Sequence, residues 1–181
     1  MRVLGIDPGS RKTGWGVVER RGNEYHSLGH GTARAAPKLD MPHRIHAIVK
    51  QVEQVIDDFA PDCMAVEEAF YHESVRSTLV LGHVRGALLV AGVSHELAIA
   101  EYTPREVKMS VAGTGAGTKE QVEFMVKRLL GLKTPLQTDA SDALAVAICH
   151  LNRAQRPAPA AALGAATRGL EALLARRVRK P

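Results

Sequence analysis

Apolar residues in the first third of the chain come in short runs that end at turn-forming residues. The run RVLGID stops at Pro8 and Gly9, and the runs TGWGVVER and EYHSLGHGT are separated by Arg21-Gly22-Asn23. Short apolar runs bounded by Gly, Pro and Asn are typical of β-strands, and a tight Gly-containing link between two of them is typical of a hairpin. The pattern therefore predicts three consecutive strands arranged as a meander.

The middle of the chain changes to a helical spacing after Pro42. Apolar residues there recur every three or four positions, which predicts an amphipathic helix. These residues are Ile45, Ile48, Val49, Val52, Val55, Ile56 and Phe59. Pro61 and Asp62 end the helix, and CMAVEE predicts a short buried strand. The segments SVRSTLVLGHVRGALLVAGVSHEL and AIAEY then predict a long helix and a further strand.

Three more helices follow. The segments TPRE and TKEQ each place a threonine three residues before Glu or Gln, which is the pattern of a capping box, and Pro104 occupies a first helical position. The glycine-rich run GTGAG between these two helix starts predicts a loop. A last helix is expected from about Asp139 to Asn152.

Three strands in a meander, followed by strands that alternate with helices, predict an α/β fold in which helices flank a mixed sheet of about five strands. We assign residues 1–153 to this domain. Residues 154–181 are rich in Ala, Pro and Arg. They are predicted to form a basic mobile tail, with a short helix near Leu170–Val178.

The composition is that of a globular domain, with 45% hydrophobic and 24% charged residues among 181. No run approaches about 20 consecutive apolar residues, so we expect no membrane association. The N-terminus lacks the apolar core of a signal peptide, which predicts a cytoplasmic protein. Cys63 and Cys149 lie in apolar segments without metal-binding spacing and are expected to be reduced and buried.

The net charge of +5 does not by itself indicate a nucleic-acid partner. The tail accounts for all of it, because residues 155–181 contain six basic residues and one acidic residue. In the remaining part of the chain, basic and acidic residues balance. What matters for function is whether the positive side chains of the domain gather near one site.

Four acidic residues stand where they could form such a site. Asp7 and Glu67 each end a predicted strand, at the end of the sheet where open α/β folds place their ligands. Asp139 and Asp142 are three residues apart at the start of the last helix and share a face. Either strand-end acid alone could simply reach solvent. Helix capping would explain one first-turn aspartate but not the second, because like charges at this spacing repel.

Carboxylates from two strand ends and one helix start could converge on Mg²⁺, a hard cation that prefers oxygen ligands. Two such ions about 4 Å apart would activate a water molecule and stabilise the leaving oxygen during phosphodiester cleavage. The sequence has neither a His/Cys set with zinc spacing nor a serine or cysteine in a nucleophile-elbow motif. Metal-assisted hydrolysis therefore fits better than covalent catalysis.

These segments resemble a known family. GIDPGSRKTGWGVV resembles the opening strand-turn-strand of RuvC Holliday-junction resolvases, AVEEAF resembles their second acidic motif, and DASDALAVAICH resembles their closing DxxDALA helix. LGHVRGALL, REVKMSVAG and QVEFMVKRLLGL match in the same order, over residues 1–152 in all. Any one of these motifs would be a weak signal, whereas the whole series is specific.

The resemblance implies a ribonuclease-H-like fold and an endonuclease that resolves four-way DNA junctions by paired symmetric nicks during recombination and repair. It implies that Asp7, Glu67, Asp139 and Asp142 are the catalytic and metal-binding residues, with two Mg²⁺ ions per active site for which Mn²⁺ substitutes. Some relatives carry histidine at the position of Asp139. No function is carried over to the tail.

The resemblance also implies which residues contact DNA. Phe70 matches an aromatic residue that stacks on or wedges between bases at the junction, an interaction that tolerates any sequence. Lys108 and Lys119, on either side of the glycine-rich loop, match residues that hold phosphates near the scissile bond, and Arg76 is assigned to the DNA-binding set. Phosphate contacts of this kind would make binding strongly salt-dependent.

The implied partners are a second copy of the chain and the RuvA and RuvB branch-migration complex. The family's homodimer contact involves the long helix. Gly82, Gly86, Ala87 and Ala91 give this helix a face that another backbone could approach, although the same face could pack on the chain's own sheet. A two-fold dimer would offer two equivalent sites to the two equivalent strands of a junction.

Three other functions remain open from the sequence. DPGSRKTG resembles the phosphate-binding hairpin of actin- and hexokinase-type phosphotransferases, but those proteins need two such domains. A non-catalytic junction-binding module would be expected to have lost at least one of the acidic residues. A ribonuclease-H-like nuclease could also act on another substrate, such as structured RNA. Assays of ATP turnover and of junction nicking would separate these functions.

Overall fold

The computed structural model describes residues 1–68 and 74–154. Within these residues the chain forms five strands and five helices. Their bounds are β1 Arg2–Asp7, β2 Lys12–Arg21, β3 Glu24–Arg34, α1 Met41–Phe59, β4 Cys63–Glu67, α2 Val75–Ser94, β5 Ala98–Tyr102, α3 Pro104–Ala112, α4 Lys119–Leu130 and α5 Thr138–Arg153. The predictions for Phe70 and for residues 155–181 lie outside the described residues. The domain boundary after residue 153 stays a prediction.

The five strands form one mixed sheet in the order β3-β2-β1-β4-β5. Neighbouring strands are antiparallel in the β1–β3 meander, whereas β4 is parallel to β1 and β5 is parallel to β4. The register places Asp7 opposite Gly14 and Ile6 opposite Val66. Because β1 and β4 run parallel, their last residues lie side by side at one end of the sheet. The predicted mixed five-stranded sheet is confirmed.

Helices cover both faces of this sheet. Val3 belongs to a buried layer that includes residues of α3, α4 and α5, and its neighbour Leu4 belongs to the opposite layer, which includes residues of α1 and α2. This follows from strand geometry, in which successive side chains point to opposite faces. Cys63 and Cys149 are buried as free thiols in the first layer, as predicted.

Helix α5 lies very close to the centre of the sheet. At Gly5 of β1, an added Cβ atom would come 2.0 Å from the carbonyl oxygen of Ala143. Glycine at this position therefore lets the helix backbone approach the strand. Ten of the 16 residues of α5 are buried. The close contact fixes the start of α5 beside the end of β1.

Helix α2 is packed on one side only. Val84 and Leu88 are fully buried against the sheet, whereas Leu79, Val90 and Val93 are exposed. Within the described part of the chain, α2 is the one helix with the length and apolar composition that crossing a membrane requires, by those two criteria alone. Its inward face packs on the sheet, and its outward apolar face has no covering element within the described residues.

Both predicted capping boxes are present. The Thr103 side chain accepts a hydrogen bond from the backbone of Glu106, and the Glu106 side chain accepts one from the backbone of Thr103, at the start of α3. Thr118 and Gln121 make the same reciprocal pair at the start of α4. The glycine-rich segment between the two helices is a loop, as predicted, and it lies between Lys108 on α3 and Lys119 on α4.

Candidate active site

Asp7 is held at the end of β1 by the turn that follows it. The Thr13 hydroxyl accepts a hydrogen bond from the Gly9 N–H at 3.2 Å and donates one to the Gly9 carbonyl at 3.1 Å. Thr13 is fully buried. Because the threonine belongs to β2 and the glycine to the turn, these bonds fix the connection between the two strands and with it the position of Asp7.

Glu67 is the last residue of β4, next to the end of β1. The backbone pairs of these strands run in step up to Ile6 and Val66, so Asp7 and Glu67 occupy the next positions along parallel neighbours. Hydrogen bonding between the two side chains contributes to the pKa shift of each, so the two carboxyl groups lie close together.

Asp139 and Asp142 lie at the start of α5, and neither is the N-cap. The N-cap is Gln137, which makes no side-chain capping bond within the described residues. At Gly14 of β2, opposite Asp7, an added Cβ atom would come 1.9 Å from the carbonyl oxygen of Asp139. The first turn of α5 therefore lies directly over the strand pair that carries Asp7, and helix capping does not account for the two aspartates.

Burial and neighbouring charges raise the pKa values of Asp7, Glu67 and Asp142. Burial raises the pKa of Asp7 to about 8, with further contributions from the charges of Glu67, Asp142 and Asp139. Burial and the charge of Asp142 also raise the pKa of Glu67, although the hydrogen bond from Asp7 opposes this. Burial raises the pKa of Asp142 despite its contact with Lys119. Such mutual effects require desolvated carboxylates close together, so the four acids form one cluster.

Three lysines surround this acidic cluster. Lys12 Nζ lies 2.5 Å from Asp139 Oδ2, and Lys119 Nζ lies 3.6 Å from Asp142 Oδ2. The positive charges of Lys119 and Lys108 also lower the pKa of Glu67. The two lysines predicted from the resemblance are thus beside the acids. Lys12 was not predicted, although it stands two residues before Gly14 and so faces the same side of the strand.

The acids have the chemistry that a hard divalent cation needs. Carboxylate oxygens are the ligands that Mg²⁺ prefers, and Mn²⁺ accepts the same donors. Burial and then the neighbouring negative charges raise the pKa of Asp7, and a bound cation would compensate those charges. Among residues 1–68 and 74–154, however, no three acidic, imidazole or thiol groups already surround one position for an ion. The donor types fit the metal, and binding requires the side chains to close around it.

The other two residues predicted to contact DNA are Arg76 and Phe70. Arg76 is exposed in the first turn of α2, and its contact with DNA stays a prediction. Phe70 lies outside the described residues. The structure therefore brings together all four predicted acids and two of the four residues predicted to contact DNA.

A family model described as crossover junction endodeoxyribonuclease RuvC matches residues 3–150. A relative of that name from Geobacter sulfurreducens is 49% identical over 154 residues, which cover 85% of this chain and 94% of the relative. Another of that name, from Magnetococcus marinus, is 46% identical over 167 residues, which cover 91% of this chain and 93% of the relative.

Solved structures show the same relationship. The structure described as T. thermophilus RuvC in complex with Holliday junction substrate has a TM-score of 0.80 and 35% identity, and covers 85% of this chain and 94% of that one. The yeast mitochondrial Holliday junction resolvase Ydc2 has a TM-score of 0.62 at 12% identity, covers 83% of this chain and 78% of that one, and shares the fold alone. The ribonuclease-H-like fold is thus confirmed. With its family match extending over residues 3–150, the chain belongs to the RuvC family of crossover junction endodeoxyribonucleases.

Proposed function

We propose that this protein resolves Holliday junctions by metal-dependent hydrolysis of phosphodiester bonds, cutting two strands at symmetric positions. The observation that carries the proposal is the acidic cluster, in which Asp7, Glu67, Asp139 and Asp142 come from two strand ends and one helix start, and in which burial and neighbouring charges raise the pKa values of Asp7, Glu67 and Asp142. A stable fold has no need for this repulsion. Strongly shifted pKa values of this kind are common at sites that bind a cation or catalyse a reaction.

The four acids are proposed to hold Mg²⁺ or Mn²⁺, two ions per site. When bound, the ions activate the attacking water and stabilise the leaving oxygen. The protein's own contribution is placement. β1 and β4 present Asp7 and Glu67 side by side, and the close approach of α5 to Gly14 holds Asp139 above them. Because the pKa of Asp7 is raised to about 8, this group must lose its proton before both carboxylates can act as ligands.

Lys108 and Lys119 are proposed to hold the DNA phosphates next to the scissile bond. Both act electrostatically on Glu67, which places their charges near the acidic cluster. Lys119 is exposed and its contact with Asp142 is long, at 3.6 Å, so its amine can turn to a phosphate at little cost. Arg76 and Phe70 complete the proposed contacts, with the arginine on phosphate and the phenylalanine stacked on a base.

The active protein is proposed to be a homodimer that uses the outward face of α2. Leu79, Val90 and Val93 are more than half exposed on this face. Gly82 and Gly86 lie between them, and within the described residues nothing would come within 4 Å of a Cβ atom added at either glycine. The structure therefore favours the partner chain over the protein's own sheet as the element that approaches these glycines. A two-fold dimer would present two sites to a two-fold junction.

The proposed setting is the cytoplasm, where an enzyme of chromosomal recombination meets its DNA. The RuvA and RuvB branch-migration complex is the proposed partner there, on the basis of family membership.

The decisive experiment uses a synthetic four-way junction with labelled arms. We expect paired nicks at symmetric positions on opposite strands in Mg²⁺ or Mn²⁺, none in EDTA, and none on a linear duplex of the same sequence. ATP turnover and a four-way RNA junction are assayed in parallel. Metal-independent nicks, equal cleavage of the duplex, or a preference for the RNA would each contradict the proposal.

A further inference from the structure

Lys12 makes the closest ionic contact in the acidic cluster. Its Nζ lies 2.5 Å from Asp139 Oδ2, whereas the corresponding distance from Lys119 to Asp142 is 3.6 Å. The Lys12 side chain is 53% exposed and that of Asp139 is 22% exposed. The pair thus lies at the rim of the cluster, with its carboxylate inside and its amine at the surface.

The backbones on both sides of this pair are fixed. The backbone of Asp139 packs directly on Gly14, because a Cβ atom added at Gly14 would come 1.9 Å from the Asp139 carbonyl oxygen. On the other side, a Cβ atom at Gly9 would come 2.0 Å from the Lys12 carbonyl oxygen, and the buried Thr13 bonds to Gly9. These contacts keep the two residues within reach of each other, and because the pair is partly exposed its free energy is that of an ordinary surface ion pair.

Strand alternation explains why this lysine reaches the site. Lys12 and Gly14 lie on the same face of β2 because they are two residues apart. That face lies beneath the start of α5, since Gly14 contacts the backbone of Asp139. The side chain of Lys12 therefore extends along the first turn of α5, where Asp139 is the acid that it meets.

From this geometry we propose that Lys12 is a positioning residue that serves as an internal counter-cation for Asp139 and sets the metal concentration that the site requires. The inference rests on the proposed function, in which Asp139 is a metal ligand. A divalent ion bound by Asp139 would compete with the Lys12 amine for the carboxylate, and the two positive charges would repel each other there. Metal entry at Asp139 therefore requires the amine to withdraw, for which its half-exposed position leaves room.

The test is the affinity of the full-length protein for Mn²⁺ alone, measured by calorimetry at low ionic strength. The variant Lys12→Met keeps the length of the side chain and removes its charge. We expect it to bind Mn²⁺ about two- to five-fold more tightly, the range set by the free energy of a partly exposed ion pair. The Mn²⁺ concentration for half-maximal junction nicking should fall by a similar factor. Lys12→Arg, which keeps the charge, should behave like the unaltered protein.

Lys50→Met is the matched control. Lys50 also forms an ion pair, with Glu53 at 2.9 Å, and it lies on α1. We expect its Mn²⁺ affinity to be unchanged. A Lys12→Met affinity that is unchanged or weaker, or an equal gain in Lys12→Arg, would overturn the inference. So would a lower salt dependence of metal-free junction binding without any change in metal affinity, because Lys12 would then be a phosphate contact. If the unaltered protein neither binds Mn²⁺ nor nicks junctions, the proposed function itself fails.

Discussion

The carbonyl oxygen of Asp139 lies so close to Gly14 that a Cβ atom there would come within 1.9 Å of it. Gly14 is paired with Asp7 across β1 and β2. One glycine thus links the strand acid to the helix acids, because it lets the first turn of α5 rest on the backbone beside Asp7. The acidic cluster therefore depends on a residue without a side chain at position 14.

Gly14→Ala should displace the start of α5. The added methyl group meets backbone atoms, which cannot rotate away, so we expect a loss of stability at the upper end of the about 1–3 kcal/mol typical of overpacking. Gly16→Ala is the comparison on the same strand face, because its nearest contacts, at 2.7 Å, are side-chain atoms of Leu144, and the nearest backbone atom, the Leu144 nitrogen, is farther away at 3.1 Å. Urea denaturation and metal affinity of both variants are the measurements. Equal effects would mean that Gly14 has no special role in placing Asp139.

Asp7→Asn should abolish cleavage while junction binding survives. The amide keeps the size of the side chain but removes a proposed metal ligand, so we expect the nicking rate to fall by more than the roughly 10–100-fold typical of residues that only support a ligand. Junction binding without metal, measured by gel shift in EDTA, should be unchanged or stronger, since one negative charge near the phosphates is lost. Loss of binding together with cleavage would contradict a purely catalytic role.

The stability of the metal-free protein should fall as pH rises from about 5 to 9. Burial and neighbouring carboxylates raise the pKa of Asp7 to about 8, from an ordinary value of 3.8. A group whose pKa is higher in the folded state stabilises the fold below its unfolded pKa, and this contribution is lost as pH rises through the folded value. The pKa values of Glu67 and Asp142 are also raised, so they act in the same direction.

Thermal unfolding across this pH range, with and without Mn²⁺, measures the effect. The Tm of the metal-free protein should decrease towards pH 9, Asp7→Asn should flatten the curve, and Mn²⁺ should restore the Tm at high pH by binding the ionised carboxylates. A metal-free Tm that rises with pH over this range would show that the acids are not coupled in this way.

The order and type of the elements could be predicted because their signals are local. Each signal depends on residues that are close together in the sequence. Examples are the meander of β1–β3, the capping box at Thr103 and the helical spacing after Pro42. That Asp7 and Glu67 end strands was also visible in the sequence. That they end neighbouring parallel strands follows from the order of strands in the sheet, and here the family resemblance supplied what the spacing did not.

The contacts that complete the site could not be predicted because they join residues distant in sequence. Lys12 and Asp139 are brought together by the way α5 crosses β2, and nothing near Lys12 in sequence marks it as different from a solvated strand-end lysine. The close approach of α5 to Gly14 could not be predicted for the same reason. A glycine at this position could equally be explained by the turn that precedes the strand. Its contact with the Asp139 carbonyl shows that it makes room for the backbone of α5.

Lys119→Ala should weaken junction binding and make it less dependent on salt. If the amine holds one phosphate, its removal lowers the slope of log K against log salt concentration by about one unit. Lys50→Ala is the control, because that lysine is paired with Glu53 on α1. Binding is measured by fluorescence anisotropy between 50 and 300 mM KCl, concentrations over which phosphate contacts dominate. An unchanged slope would place Lys119 away from the phosphates.

Leu79→Glu should separate the proposed homodimer. Leu79 is 60% exposed on the outward face of α2, so the substitution leaves the monomer core intact but puts a charge into the interface. We expect the dimer Kd, measured by sedimentation, to rise at least about tenfold, because an unpaired charge is costly to bury. Phe124→Glu is the matched control, since Phe124 is 63% exposed on α4. If the phenylalanine variant dissociates instead, α4 carries the interface. If only the leucine variant dissociates and its paired nicks become single nicks, the two-fold arrangement is what couples the two cuts.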